Sequence, residues 1–256
     1  MGKPKTEILF GINPVLEALN AGRRNFFEVY VVKKKTSERL ERILTVSETK
    51  EIPVERVEPS QLKSLAGTDQ HQGIGVRTSG FPLSEISDII GGIRPDHTNH
   101  LLLLVDNVMD PHNLGALIRT ALCVGVDGII IPKDRSVPPT PAVSKASAGA
   151  LEHIRLARAT NMVNTIKTLK KKGWWIAGMD KASDKSIFLS DLTGHLAIVI
   201  GGEEKGMRLL VKKHCDFLMS IPQKGPVNSL NASVAGAIAM YEAFRQQNLC
   251  RVLEHF

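Results

Sequence analysis

Cysteines and aromatic residues are few in this chain, and each scarcity removes a class of protein. The 256 residues hold three cysteines, Cys123, Cys215 and Cys250, far apart and without a CxxC pair. That pattern excludes a disulfide-stapled scaffold and a cysteine-ligated zinc site. Aromatics make up 5%, so the core is aliphatic and stacking on unpaired bases has few side chains to use. No apolar run is long enough to span a bilayer. Residues 1–11 are charged and lack an apolar centre, which predicts no secretory signal. Nucleotide motifs are missing too. There is no GxGxxG after a first strand, no P-loop and no GxSxG, which removes the dinucleotide, P-loop and simplest hydrolase readings. An intracellular protein is the expectation.

What remains is ordinary for a globular chain: 43% hydrophobic and 23% charged residues. The length suits one large domain or two smaller ones. The formal charge of +7 is unevenly spread. Residues 1–96 carry 14 Lys and Arg against 13 Asp and Glu, whereas residues 97–256 carry 19 against 13. A polyanionic partner would therefore be drawn mainly to the C-terminal part.

Residues 1–77 read as a small α/β domain. Asn13 and Pro14 resemble a helix cap and first-turn proline. Strands are predicted at 29–32, 52–57 and 73–76, with helices at 36–50 and from Pro59. Residues 78–98, containing Pro82, Gly91, Gly92 and Pro95, read as a linker with a short helix at 84–90. Residues 99–256 alternate strand and helix. Strands are predicted at 101–105, 128–132, 153–156, 174–179, 196–200 and 217–221. Helices are predicted at 113–124, 141–150, 161–172, 207–213 and 231–245. Such alternation implies a parallel sheet covered by helices. Its ligand site is expected beyond the C-terminal strand ends.

Three segments carry the chemistry. In the first, Leu114, Leu117, Ile118, Ala121 and Leu122 form one apolar helix face. Asn113 sits where an N-cap belongs, and Arg119 lies off the stripe. Gly115, four residues earlier, leaves room for the guanidinium to lean back toward the helix start, which suits a phosphate. A capped surface helix with a solvated arginine fits as well. In the second, an apolar strand opens into Gly201-Gly202-Glu203-Glu204-Lys205-Gly206. Glycines let backbone approach a ligand closely, although an ordinary tight turn has the same pattern. In the third, a strand ends at Ile221 in a loop stiffened by Pro222 and Pro226. Ser229, Asn231 and Ser233 then precede a helix of small residues, and capping alone needs fewer polar groups.

In this order and spacing, the three segments resemble the SpoU (TrmH-like) family of RNA ribose 2′-O-methyltransferases, within the SPOUT superfamily. Asn113, Gly115 and Arg119 match its first motif. Gly201, Glu203 and Gly206 match its second, and Ile221, Pro222, Ser229, Leu230, Asn231 and Ser233 its third. Gln223 and Ala232 stand where Met and Val are common in the family. The resemblance spans residues 97–246. Phe10 to Val15 and His71 to Val76 look like the start and end of the family's small RNA-binding domain. Asp110 to Asn113 and Pro132 to Arg135 look most like its bacterial 23S rRNA guanosine-2′-O-methyltransferase branch.

The resemblance implies an α/β domain ending in a deep trefoil knot and working as a cytoplasmic homodimer. It also implies methyl transfer from S-adenosyl-L-methionine to a ribose 2′-hydroxyl, with RNA as partner, no DNA, no membrane and no metal. Gly201, Gly202, Gly206, Ile221, Pro222 and Leu230 would surround the cofactor. Asn113, Arg119, Glu203, Ser229 and Asn231 would form the catalytic centre, and His112, Arg119 and Arg135 would meet the RNA. Three alternatives stay open: a tRNA ribose methyltransferase of the same family, an adenosine-directed resistance-type relative, and a non-catalytic RNA-binding protein on this fold. Cys123 reads as core packing, and one of Trp174 and Trp175 as core.

Overall fold

A computed structural model of the chain describes residues 6–33, 37–92, 98–226 and 229–248. Cys250, Pro95 and residues 227–228 of the third segment lie outside them. Contacts divide the chain into two compact units, Met1–Pro82 with Pro139–His153, and Leu83–Pro138 with Ile154–Phe256.

The first unit holds strands β1 (Thr6–Phe10), β2 (Phe26–Val32), β3 (Val54–Val57) and β4 (Ile74–Ser79). They form one sheet in the order β1-β4-β2-β3. β4 runs antiparallel to both neighbours, and β2 pairs with β3 in parallel. Around the sheet lie α1 (Ile12–Ala21), α2 (Glu38–Thr49), α3 (Pro59–Ala66) and α6 (Pro141–Ala146). The period-two alternation of β2 explains its unbroken apolar run. Val29 and Val31 enter a core with Leu9, Val15, Leu19, Leu40 and Ile43, while Tyr30 and Val32 enter a second with Val57 and Leu62. β1 is an addition to the three strands expected from the sequence. Helix α1 begins before Asn13, capped by Gly11 at φ 93°, and Ile12 N donates to Gln72 Oε1 at 3.1 Å.

Pro139–His153 is joined to this unit by a buried ion cluster. Arg24 is 4% exposed and Glu152 1%. Arg24 Nε donates to Glu152 Oε2 at 2.6 Å and Nη2 to Glu152 Oε1 at 2.9 Å, while Nη1 pairs with Glu7. Ser144 Oγ donates to Glu152 Oε1 at 2.7 Å. Burial acts to lower the pKa of Arg24, but its two carboxylate partners outweigh burial and raise it.

The second unit holds β5 (His100–Asp106), β6 (Gly128–Pro132), β7 (Leu156–Ala159), β8 (Trp175–Met179), β9 (His195–Gly201) and β10 (Phe217–Met219). These build a six-stranded sheet in the order β10-β8-β9-β5-β6-β7, with every pairing parallel. Its helices are α4 (Ile86–Gly91), α5 (Pro111–Cys123), α7 (Met162–Lys171), α8 (Leu209–His214) and α9 (Ala232–Gln247). The parallel α/β class is as expected. β5 is buried along its whole length, and Leu102, Leu104, Val199, Ile176 and Ile166 share one core.

Several local expectations shift, Leu122 of the expected apolar face among them, since it is exposed, while the expectation of one core tryptophan holds. Helix α5 starts at Pro111, and its N-cap is Asp110, not Asn113; the proline fixes the first-turn φ and Asp110 Oδ1 accepts from His112 N at 3.0 Å. Strand β7 begins three residues later than predicted, because Ala150–Glu152 form a 3₁₀ turn that buries Glu152. Cys123 is exposed rather than core. Trp174 is 4% exposed and Trp175 57%, so alternation assigns the first to the core. Among the described residues no helix is long and apolar enough to cross a membrane, and no cluster of three metal-ligating side chains occurs.

Removing Arg24 leaves Glu152 buried and unpaired. Arg24→Met is expected to cost about 3–5 kcal/mol, whereas Lys33→Met, which removes an exposed pair with Glu58, should cost under about 1 kcal/mol. Urea unfolding of the two variants checks this, and equal effects would contradict it.

Candidate active site

In the second unit the C-terminal strand ends converge on one cavity of about 1090 Å³. Asn107 and Met109 follow β5, Asp180 and Lys181 follow β8, and residues 202–209 follow β9. Ser220 and Ile221 follow β10. Parallel strands all deliver their succeeding loops to this end, so loops distant in sequence meet there.

The glycine loop after β9 is tightly folded. A Cβ added at Gly201 would lie 2.2 Å from Met207 N, and one at Gly202 would lie 2.1 Å from Asn107 O. No larger residue fits either position without moving backbone. Gly206 has φ 60°, and its N–H donates to Gly202 O at 2.8 Å.

Three side chains join the three sequence segments. Asn113 Nδ2 donates to Glu203 Oε1 at 2.7 Å. Asn231 Nδ2 donates to Asn113 Oδ1 at 2.9 Å and also to Glu203 Oε1. The Oδ1 of Asn231 caps α9, accepting from Ser233 N at 2.9 Å and Val234 N at 3.3 Å. Glu203 lines the cavity and so connects this junction to it.

The remaining sequence candidates divide. Gly201, Gly202, Gly206, Ile221, Ser229, Leu230 and Arg135 line the cavity. Pro222 lies beside Ile221 in the same loop, outside the lining. His112 and Arg119 are exposed on α5 and also lie outside the lining. Among the described residues no hydrogen bond or ion pair engages the Arg119 side chain, so the junction does not hold it. Sequence reasoning missed Asp106, Asp180, Arg208 and Lys212. Burial acts to raise the pKa of Asp180, but the bond from Lys212 and the Ala182 N–H outweigh it and hold the carboxyl below its usual range. Asp180 and Lys212 both line the cavity. Burial pushes the Cys215 thiol up to about 12, which makes it a packing group rather than a nucleophile.

Residues 100–241 match the SpoU rRNA Methylase family, and residues 8–82 match the RNA 2′-O ribose methyltransferase substrate binding family. A 23S rRNA (guanosine-2′-O-)-methyltransferase RlmB of Vibrio vulnificus is 39% identical over 242 residues, covering 94% of this chain and 97% of the relative. RlmB of Vibrio parahaemolyticus is 40% identical over 241 residues, with 94% and 97% covered. Among solved structures, the SpoU methyltransferase AviRb of Streptomyces viridochromogenes, in complex with the cofactor AdoMet, superposes with a TM-score of 0.80. It is 23% identical, and the match covers 93% of this chain and 89% of AviRb.

The junction yields a charge-dependent test. Asn231→Asp keeps an oxygen to cap α9 but sets a second carboxylate against Glu203. Two carboxylates sharing a site raise a folded-state pKa, so the penalty is present above that pKa and fades as pH falls through it. The melting deficit relative to the parent should be large at about pH 7.5 and shrink toward about pH 4.5. A deficit constant across that range would contradict the assigned contacts.

Proposed function

The chain belongs to the SpoU rRNA methylase family, and from that premise we propose that it methylates the ribose 2′-hydroxyl of a guanosine in 23S rRNA. The methyl donor is S-adenosyl-L-methionine, the cofactor present in the AviRb structure. One observation carries the reading: Asn113, Glu203 and Asn231 meet at the edge of the strand-end cavity.

The residues lining the cavity fit the donor. Its walls combine apolar side chains, among them Met109, Ile200, Leu209 and Leu230, with exposed backbone of the 201–208 loop and the carboxylate of Asp180. A ligand with an aromatic base, a ribose and a charged amino-acid arm needs such a mixture. S-adenosylmethionine bound there supplies an electrophilic methyl group on a sulfonium. Gly201, Gly202 and Gly206 let main chain approach it, Ile221 and Leu230 add apolar lining, and Pro222 stiffens the loop. Ser229 offers a hydroxyl to orient the acceptor.

Arg119 serves the RNA. With no side-chain hydrogen bond or ion pair among the described residues, it is available to a backbone phosphate. Its role is to place the phosphate and stabilise charge developing on the ribose oxygen. Arg135 and His112 add contacts to the same strand. Residues 8–82 provide the RNA-binding unit. The exposed Val234 and Tyr241 of α9 and Leu122 of α5 support a homodimer built on these helices. Membership of the SpoU family supports a C-terminal trefoil knot. The work takes place in the cytoplasm.

Labelled S-adenosylmethionine with total rRNA and tRNA tests the reading directly. Label on one guanosine ribose of 23S rRNA is expected; label on tRNA alone would redirect it. Arg119→Ala should lower kcat by about 10²-fold or more while donor binding persists. Near-normal turnover of this variant would remove Arg119 from the centre.

A further inference from the structure

The 201–208 loop starts and ends on the same residue. Asp106 closes β5 and is fully buried. Its backbone pairs in register with Gly201, the last residue of β9. Its side chain takes the far end of the loop. Arg208 N donates to Asp106 Oδ2 at 2.8 Å, and Arg208 Nε donates to Asp106 Oδ1 at 2.8 Å. Arg208 Nη2 lies 2.6 Å from Asp106 Oδ1. A carboxylate out of water demands such a set of donors, and it receives all three from one residue. Arg208 itself lines the cavity, with about a third of its side chain exposed.

We infer that Asp106, acting through Arg208, is a positioning residue that pins both ends of the 201–208 loop and presets the donor-binding face of the cavity. This rests on the cavity being the S-adenosylmethionine site. The reasoning is entropic. A loop whose ends are fixed on one buried residue loses little freedom when a ligand settles against its backbone. An unpinned loop must be ordered at that moment, and the cost falls on binding. The chemical step, once the loop is ordered by saturating donor, is spared.

Asp106→Asn removes the charge and keeps the shape; Arg208→Lys keeps the charge and loses the planar fork. Each should raise KM for S-adenosylmethionine about tenfold or more, with kcat within about threefold of the parent. Amide hydrogen exchange, read without donor or RNA, should quicken across 201–208 and stay unchanged in Leu102–Leu104 of β5. An unchanged KM, a fall in kcat alone, or exchange quickened equally through the sheet would each overturn the inference. If one variant fails to fold, the other carries the same comparison. A parent protein that neither binds the donor nor transfers methyl would instead strike the functional reading, and the exchange measurement would still decide whether the loop is pinned.

Discussion

One carboxylate oxygen, Glu203 Oε1, accepts from both Asn113 and Asn231, and these two amides also bond to each other. The three residues belong to segments as far as 118 positions apart. At a solvent-facing site each such bond adds only about 0.5–1.5 kcal/mol. Their importance is geometric. They fix where the start of α5, the glycine loop and the cap of α9 stand relative to one another, and Glu203, Leu230 and Ala232 of the last two line the cavity.

The sheet makes this meeting possible. β5 and β9 pair over seven registered positions, from His100 with His195 to Asp106 with Gly201. Both strands are buried through their centre, so neither can slip without moving apolar side chains out of the core. Strands held in register place Asn107 against Gly202, and Asp106 then reaches Arg208. A single carboxylate thus links the strongest part of the core to the least regular part of the site. In the other unit, Glu152 performs a comparable task by holding the 139–153 segment to Arg24.

Much of this was legible in the sequence, for identifiable reasons. The apolar runs at 101–105 and 196–200 read as strands, and both are buried. The spacing of Leu114, Leu117, Ile118 and Ala121 gave the buried stripe of α5. The polar residues before α9 exceeded what a cap requires: Asn231 caps the helix with its oxygen and joins the junction with its nitrogen, Ser233 Oγ donates to Asn231 Oδ1, and Ser229 lines the cavity. Other features were hidden. Asn113 is a cap-forming residue type, but Pro111 sets the first turn and Asp110 takes the cap. The Asp106–Arg208 pair spans 102 residues and has no local pattern. The assignment of 139–153 to the first unit depends on a contact across 128 residues. Periodicity reports faces of single elements, and pairings of this range are set only when the elements pack.

The central claim is that the junction and the cavity form one site for the methyl donor. A crystal structure of the chain with S-adenosylhomocysteine, the demethylated product, tests it most directly. The adenosine part is expected against the 201–208 loop, Ile221 and Leu230, with Glu203 still bonded to Asn113 and Asn231. Product bound elsewhere on the chain, or bound in the cavity with the junction broken, would contradict it.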